Sequence, residues 1–493
     1  MPVGYGQLRL DVANKEKAVR IKGVLRKVYG LLLGVCLALP WSTSAGVMEE
    51  GTFAMMVGGA CDVPDSPNCY LQNPVRAARV IDLLADAGVT RFLVPSAELH
   101  QLRLLGSIIQ HRGLVFYTYE RWSFEASLSG GRFDCAAYTS SRINSTLAPL
   151  REEFGATFAG LHFKDEPPSA QIAALGQLSE CIRGNGRVGG LKVFINLLPL
   201  HANAGSYAGT VHAGALSPQE YGVDCQRGLI SNYELSTSMI ATYSEYARRI
   251  SDEVKPDYLA FDLYPFVGSL ESCPVAQHLL LSENMSIVGN LAKSRGQVPI
   301  AYLQNIQTVQ QQTGDPFRFA GFRDLRWFAA WFYTFGGRGF ANFASHDLRT
   351  LPTDAQPHTW GLLSSSDQPT HLLSEQKSGF GVLWQLYRAL EGQAHLGFVD
   401  NALGVPQGQV AGWLSNSDFL VGEFGVGSSS ASLLISTRSS RSSAAGLVGL
   451  NKWWPIVEKL DFETGRWNVV GRSTNAINVS LDSEPLALYR LSD

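Results

Sequence analysis

The sequence predicts an α/β fold, a (β/α)8 TIM barrel followed by a C-terminal all-β sandwich domain. Three observations predict it. Between residues 50 and 392, eight short apolar, β-branched or aromatic runs alternate with longer amphipathic stretches, the pattern of a parallel sheet built from strand–helix units. After Gly392 the helical periodicity stops and short alternating strands replace it,. The 493 residues exceed one ordinary domain of about 150, yet they suit a barrel of ~250 or more with an appendage.

The strand runs are Thr52–Gly58, Thr90–Pro95, Leu114–Tyr119, Ala156–Lys164, Leu191–Leu198, Tyr258–Tyr264, Val298–Gln304 and Gly339–Ala344. The helical stretches that follow them are Pro74–Ala87, Glu98–Gln110, Ser141–Phe154, Ala170–Arg183, Ser236–Val254, Ala276–Ser294, Phe319–Phe335 and Glu375–Gly392. A doubly wound open sheet is the alternative arrangement, but no GxGxxG follows the first strand, which removes the usual reason to prefer it. Beyond residue 392 the strand candidates are Gln409–Trp413, Phe419–Phe424, Ala431–Thr437, Val457–Asp461, Trp467–Val470 and Ala487–Arg490. The barrel is placed at 46–392 and the sandwich at 393–493.

Composition excludes several classes. With 45% hydrophobic and 17% charged residues the chain is globular, not disordered,. A mean hydropathy of 0.00 excludes a multi-span membrane protein. A net charge of -3 gives no global positive field for nucleic acid,.

Residues 1–45 read as a signal peptide. Lys15, Lys17, Arg20, Lys22, Arg26 and Lys27 precede the apolar run Leu31–Leu39, and small residues lead to Ala45,. The run is about half of the ~20 residues that span a bilayer. The expectation is a secreted or periplasmic protein with no membrane span after cleavage. One of the 7 cysteines leaves with the signal, and 7 − 1 = 6 remain. An even number in an exported chain points to disulfides. Pairing neighbours gives Cys61–Cys69, Cys135–Cys181 and Cys225–Cys273, one of 15 connectivities that spacing alone leaves open,. There is no CxxC, so zinc is not expected.

The chemistry of such a barrel belongs at the C-terminal ends of its strands, where the loops converge. Carboxylates, amides and aromatics gather there: Glu120 and Trp122 after strand 3, Asp165 and Glu166 after strand 4, Asn196 on strand 5, Asp262 and Tyr264 on strand 6, Gln304 on strand 7. Hydroxyl-rich ligands call for that mixture. Strict alternation turns Lys164 and His162 inward if Glu166 is inward, and turns Asp262 and Tyr264 to the axis. Lys164 is then the partner for Glu166 or Asp262, and His162 reads as a core histidine. Phe328, Trp331, Phe332 and Phe335, at helical spacing, read as core,.

The run Lys164-Asp165-Glu166-Pro167 resembles the end of strand 4 in clan A glycoside hydrolases, and the segments GLHFKDEP, INLLP, YLAFDLYPF and DLRWFAAWFYTFGGRGF resemble β-galactosidase-like barrels. The resemblance implies that Glu166 is the general acid/base and that Asp165 touches the sugar. It also implies an oligo- or polysaccharide substrate and no metal or cofactor. Retaining members carry a nucleophilic Glu at the end of strand 7, where this chain has Gln304, Asn305 and Gln307. Either Asp262, ahead of Glu120, is the second carboxylate, with a water as nucleophile and inversion at the sugar, or the strand register differs, or the barrel binds sugar without cleaving it. A metal-dependent hydrolase using His162, Asp165 and Asp262 is a third class of reading. Asn196 and Gln304 are candidates for contacts to hydroxyls, Tyr264 for a bond to a catalytic carboxylate, and Trp122 for stacking on a sugar ring.

Overall fold

The computed structural model describes residues 52–56, 72–95, 97–211, 214–305, 308–309, 316–347, 361–401, 404–426, 429–482 and 484–493. The proposed signal segment and Cys61–Cys69 lie outside them. Eight parallel strands close a barrel: β1 (Thr52–Met55), β2 (Arg91–Val94), β3 (Val115–Tyr119), β4 (Phe158–Asp165), β5 (Lys192–Leu197), β6 (Tyr258–Phe261), β7 (Val298–Gln304) and β8 (Gly339–Phe343). Each pairs with the next in chain order, and β8 returns to β1 through Phe53 opposite Ala341. An open doubly wound sheet is thereby excluded.

Alternation divides each strand between two environments. Phe53, Tyr117, Phe194 and Tyr258 point to the axis, with ring centroids 5.1 to 5.4 Å from Phe53. They plug the barrel with packed aromatic rings, as expected of a filled (β/α)8 interior. Gly160 is required beside this plug, because a Cβ there would sit 2.2 Å from the Lys192 carbonyl and 2.7 Å from the Tyr117 ring.

The opposite faces of the strands pack on the helices α1 (Pro74–Asp86), α2 (Leu99–His111), α3 (Arg121–Ala126), α4 (Ala148–Phe154), α5 (Ile172–Gly184), α6 (Tyr233–Arg249), α7 (Pro274–Arg295), α8 (Phe322–Thr334) and α9 (His371–Leu390). The stretch before α4 differs from the continuous helix expected over Ser141–Phe154: a wide-turned segment, Thr139–Leu147, leads into it. Disulfides Cys135–Cys181 and Cys225–Cys273 tie this region to α5 and the loop after β5 to the start of α7. Their separations of 46 and 48 residues correspond to about 4 kcal/mol each of chain-entropy stabilisation.

The C-terminal strands are β9 (Ala394–Asp400), β10 (Ala411–Leu414), β11 (Phe419–Gly425), β12 (Ser430–Thr437), β13 (Ala445–Asp461), β14 (Arg466–Ser480) and β15 (Leu486–Ser492). They join one antiparallel path, β9-β11-β12-β15-β13-β10, with β14 on β13. A register shift between Gly449 and Trp454 divides β13, so that its first half pairs with β10 and its second with β15. The inner faces enclose a core of Val421, Leu433, Val448, Ile477 and Tyr489.

The aromatic strip of α8 is buried as expected, and it is also the seam between the two parts. Trp327 and Trp331 each donate an indole N–H to the Thr437 carbonyl, at 2.7 and 2.9 Å. Arg326 bonds Glu484 at 2.9 Å, and Phe335 packs on Phe398 at 4.7 Å. Among the described residues no helix is long and apolar enough to cross a membrane.

Candidate active site

Strand β4 breaks its alternation just before the site. His162 lies opposite Phe194 and Asp165 opposite Asn196, so β4 spends three steps where β5 spends two. This is a β-bulge, and it gives Lys164 and Asp165 the faces opposite to those of strict alternation. Asp165 therefore turns to the axis and Lys164 turns away. Lys164 bonds Glu125 of α3 at 2.6 Å, which corrects its expected pairing with Glu166 or Asp262. Glu166 follows with φ +46°, a region that costs a non-glycine residue about 1–3 kcal/mol and that clusters at functional sites. The strand end is held from both sides: the Glu166 N–H donates to the Asn196 carbonyl at 3.0 Å, and the Tyr246 hydroxyl donates to the Pro167 carbonyl at 2.9 Å.

Four predicted residues converge above the aromatic plug. Asn196 donates through Nδ2 to Asp165 Oδ1 at 2.8 Å, and its side chain also reaches Asp262. Glu166 and Asp262 are neighbouring buried carboxyl groups that act on each other's charge. Burial and the negative charge of Asp165 push the Glu166 carboxyl up to about 8. Burial, then Glu166 and Asp165, push Asp262 well above the carboxylate range. Asp165 thus stands beside two carboxyl groups whose burial favours their protonated forms. Tyr264 also faces this group and feels the charges of Asp262 and Asp165.

Other candidates stand elsewhere. Glu120 is fully buried on the helix side of the wall. It takes two bonds from Arg142 at 2.9 and 2.8 Å, one from Tyr138 at 2.9 Å and one from Thr118 at 2.7 Å. Burial opposes its charge, but these donors outweigh burial and hold its carboxyl below the ordinary value. Its two oxygens are taken up by these four bonds inside the wall.

Gln304 is likewise spent: its amide bonds the Phe266 N–H at 2.9 Å, the Phe266 carbonyl at 3.0 Å and the Arg318 carbonyl at 3.1 Å. It ties together the segments that carry Phe266 and Arg318. Trp122 stands at the rim, 60% exposed, with the Arg121 guanidinium 4.8 Å from its ring. His162 lies below the site among Tyr119 and Phe194, at 4.7 and 5.0 Å. Burial drives it down to about 3, so the ring is neutral. His346 and Asp347 follow the end of β8. Both are buried, His346 beside Ser345 and Asp367, and Asp347 bonded to the Gly361 N–H at 2.9 Å. No three His, Cys, Asp or Glu among the described residues are grouped to hold a metal ion.

Two site residues were not expected. Tyr119 and Tyr302 both face the carboxyl cluster, and burial first and then the charge of Asp165 hold each phenol in its neutral form. The signal that finds them is alternation: each stands two residues after an inward position of its strand, Tyr117 and Ile300.

By sequence, no family model and no curated protein matches this chain. By structure it is similar to α-galactosidase I from Mortierella vinacea, at 10% identity and a TM-score of 0.46, over 90% of this chain and 97% of that one. It is also similar to a β-L-arabinopyranosidase from Geobacillus stearothermophilus, at 10% identity and a TM-score of 0.46, over 92% and 98% of the two chains. An α-amylase from Geobacillus thermoleovorans is similar at 10% identity and a TM-score of 0.44, over 90% and 98%. The barrel and its antiparallel domain stand on their own strand pairing, and the roles of individual residues rest on the site's geometry alone.

Proposed function

We propose that this chain is an exported glycoside hydrolase that cleaves a glycosidic bond of an oligo- or polysaccharide, with Glu166 as general acid and Asp262 as the second carboxylate. The observation that carries the reading is the meeting of Glu166 and Asp262 across the mouth, one of them still protonated at neutral pH. Glycosidic cleavage needs an acid that keeps its proton until the leaving oxygen takes it. Asp165, held by Asn196, keeps the proton on the pair and lies where a sugar hydroxyl enters.

With Asp262 as the second carboxylate, a water is the nucleophile and the sugar inverts; a working separation of ~6.5–9.5 Å between the carboxyl groups fits that course, and one of about 5–5.5 Å fits retention. Export rests on the basic–apolar–small order of residues 15–45 and on the two disulfides,. The test is a screen of the mature protein against aryl glycosides and polysaccharides, with the anomeric form of the first product followed by NMR. Turnover that survives Glu166→Gln removes Glu166 from the acid role.

A second reading has one observation in its favour: strand β7 presents no carboxylate, and its Gln304 is fully engaged by backbone. A barrel that binds sugar without cleaving it would show saturable binding in calorimetry and no product.

A further inference from the structure

The loops that follow β6 and β7 stand at the mouth of the barrel, and they are tied to each other. Gln304, at the end of β7, accepts from the Phe266 N–H at 2.9 Å and donates to the Phe266 and Arg318 carbonyls at 3.0 and 3.1 Å. The Arg318 N–H donates back to the Phe266 carbonyl at 3.0 Å, and Val267 bridges Phe317. Phe317 packs edge-on against Tyr264, with ring centroids 6.0 Å apart. Tyr264 in turn packs on the inner cluster that holds Phe194, Tyr258 and Tyr302. The Arg318 guanidinium lies 4.6 Å from the centre of the Phe266 ring. It donates to Glu271 at 2.6 Å and, as a fork, to both oxygens of Asp324 at 2.6 and 2.9 Å. A fork of this kind fixes direction as well as charge. Both carboxylates are held a second time, from the C-terminal domain. The segment between β12 and β13 brings the Ser440 hydroxyl onto Asp324 and the Arg441 guanidinium to 3.4 Å from Glu271. That segment docks without these two side chains: the Thr437 carbonyl takes Trp327 and Trp331, and Arg323 donates to the Ser440 and Ser442 carbonyls at 2.8 and 3.3 Å.

We infer that the C-terminal domain is a working part of the active site and braces its β6–β7 wall through Arg318. Ser440 and Arg441 hold Asp324 and Glu271, these two hold the Arg318 guanidinium, and Arg318 with Gln304 sets where Phe266, Phe317 and hence Tyr264 stand. Arg318 acts through Tyr264 and is a positioning residue. A second contact of the same seam gives the contrast. Arg326, on the same helix, bonds Glu484 of the C-terminal domain at 2.9 Å and the Ser378 carbonyl of α9 at 3.3 Å, and these bonds lead to neither loop. A run of contacts carries coupling only where disturbing one end moves the other. The inference deepens the glycosidase reading and rests on it for Tyr264 as part of a sugar site. The brace itself exists without substrate.

The experiment is NMR of the full, substrate-free chain labelled with 13C at tyrosine Cζ, with Tyr264→Phe identifying the Tyr264 signal. The variants are Ser440→Ala with Arg441→Gln, Arg318→Lys, and Glu484→Gln. The Tyr264 signal should move in the double variant. It should also move in Arg318→Lys, which keeps the charge and loses the fork. It should stay in place in Glu484→Gln, which breaks the seam elsewhere. Amide exchange traces the path: the Phe266 and Arg318 N–H groups should exchange about tenfold faster in the double variant, with the strand amides of β6 and β7 unchanged. On a glycoside that the wild type cleaves, kcat/KM of the double variant should fall a few-fold with most of the change in KM, a split that general loss of stability does not produce. A Tyr264 signal that stays in place in the folded double variant overturns the inference, and so does an equal movement in Glu484→Gln. If the double variant does not fold, Ser440→Ala alone decides by the same signal. Lack of turnover on every glycoside would count against the glycosidase reading alone, since the signal needs no turnover.

Discussion

Glu120 and Glu166 stand just past the ends of adjacent strands, β3 and β4, and behave as opposites. Glu120 sits on the helix side of the wall, where Arg142, Tyr138 and Thr118 supply every bond its charge needs. Glu166 sits on the axis side, where its neighbours are acids. One is held ionised and the other protonated, although both are buried at one end of one barrel. The difference lies wholly in the company each keeps, and it separates a carboxylate that holds the wall together from one able to give up a proton.

The largest break in this contrast is Glu166→Gln. It should leave the fold intact and lower kcat by about 10²–10⁴-fold, the usual contribution of a positioned general acid, as measured on an aryl glycoside. The mirror substitution, Glu120→Gln, should do the reverse. It leaves the Arg142 charge buried without its partner, a loss of about 3–5 kcal/mol read by urea unfolding, with kcat per folded molecule retained.

A comparable effect concerns stability against pH. The folded pKa of Glu166, about 8, lies above its ordinary value of 4.5. The native state therefore binds more protons than the unfolded chain between those values, and stability falls as pH rises through that window. Glu166→Gln removes the dependence, so the variant should match the wild type near pH 4 and exceed it near pH 8, by about 4 kcal/mol. Denaturation midpoints at the two pH values measure this. Smallest of all, Trp122→Ala at the exposed rim should raise KM a few-fold with kcat unchanged, consistent with loss of about 1 kcal/mol of stacking, as read from initial rates.

The barrel was legible because its strands are short runs of aromatic and β-branched residues between amphipathic helices; Val298–Gln304 is a strand to the residue. Strand β9 was not, because it follows α9 after a short turn and only two of its residues, Val399 and Asp400, are fully buried, so no clean alternation marks it. Asp165, Glu166, Asn196, Asp262 and Tyr264 were found from their places at strand ends, and the structure brings them together. The inward set on β4 was misread, because a bulge is settled by how two strands share hydrogen bonds and leaves no mark in the residues His162 to Asp165 themselves. Glu120 was misplaced for a related reason. Its partner Arg142 lies 22 residues away, in a wide-turned segment that periodicity reads as plain helix.

The aromatic plug of Phe53, Tyr117, Phe194 and Tyr258 gives the molecule a blind end. Nothing threads through this barrel, so on the glycosidase reading proposed above a polymer would meet the carboxyl cluster by lying across the mouth or by lowering one terminus into it, and what is released would leave by the same door.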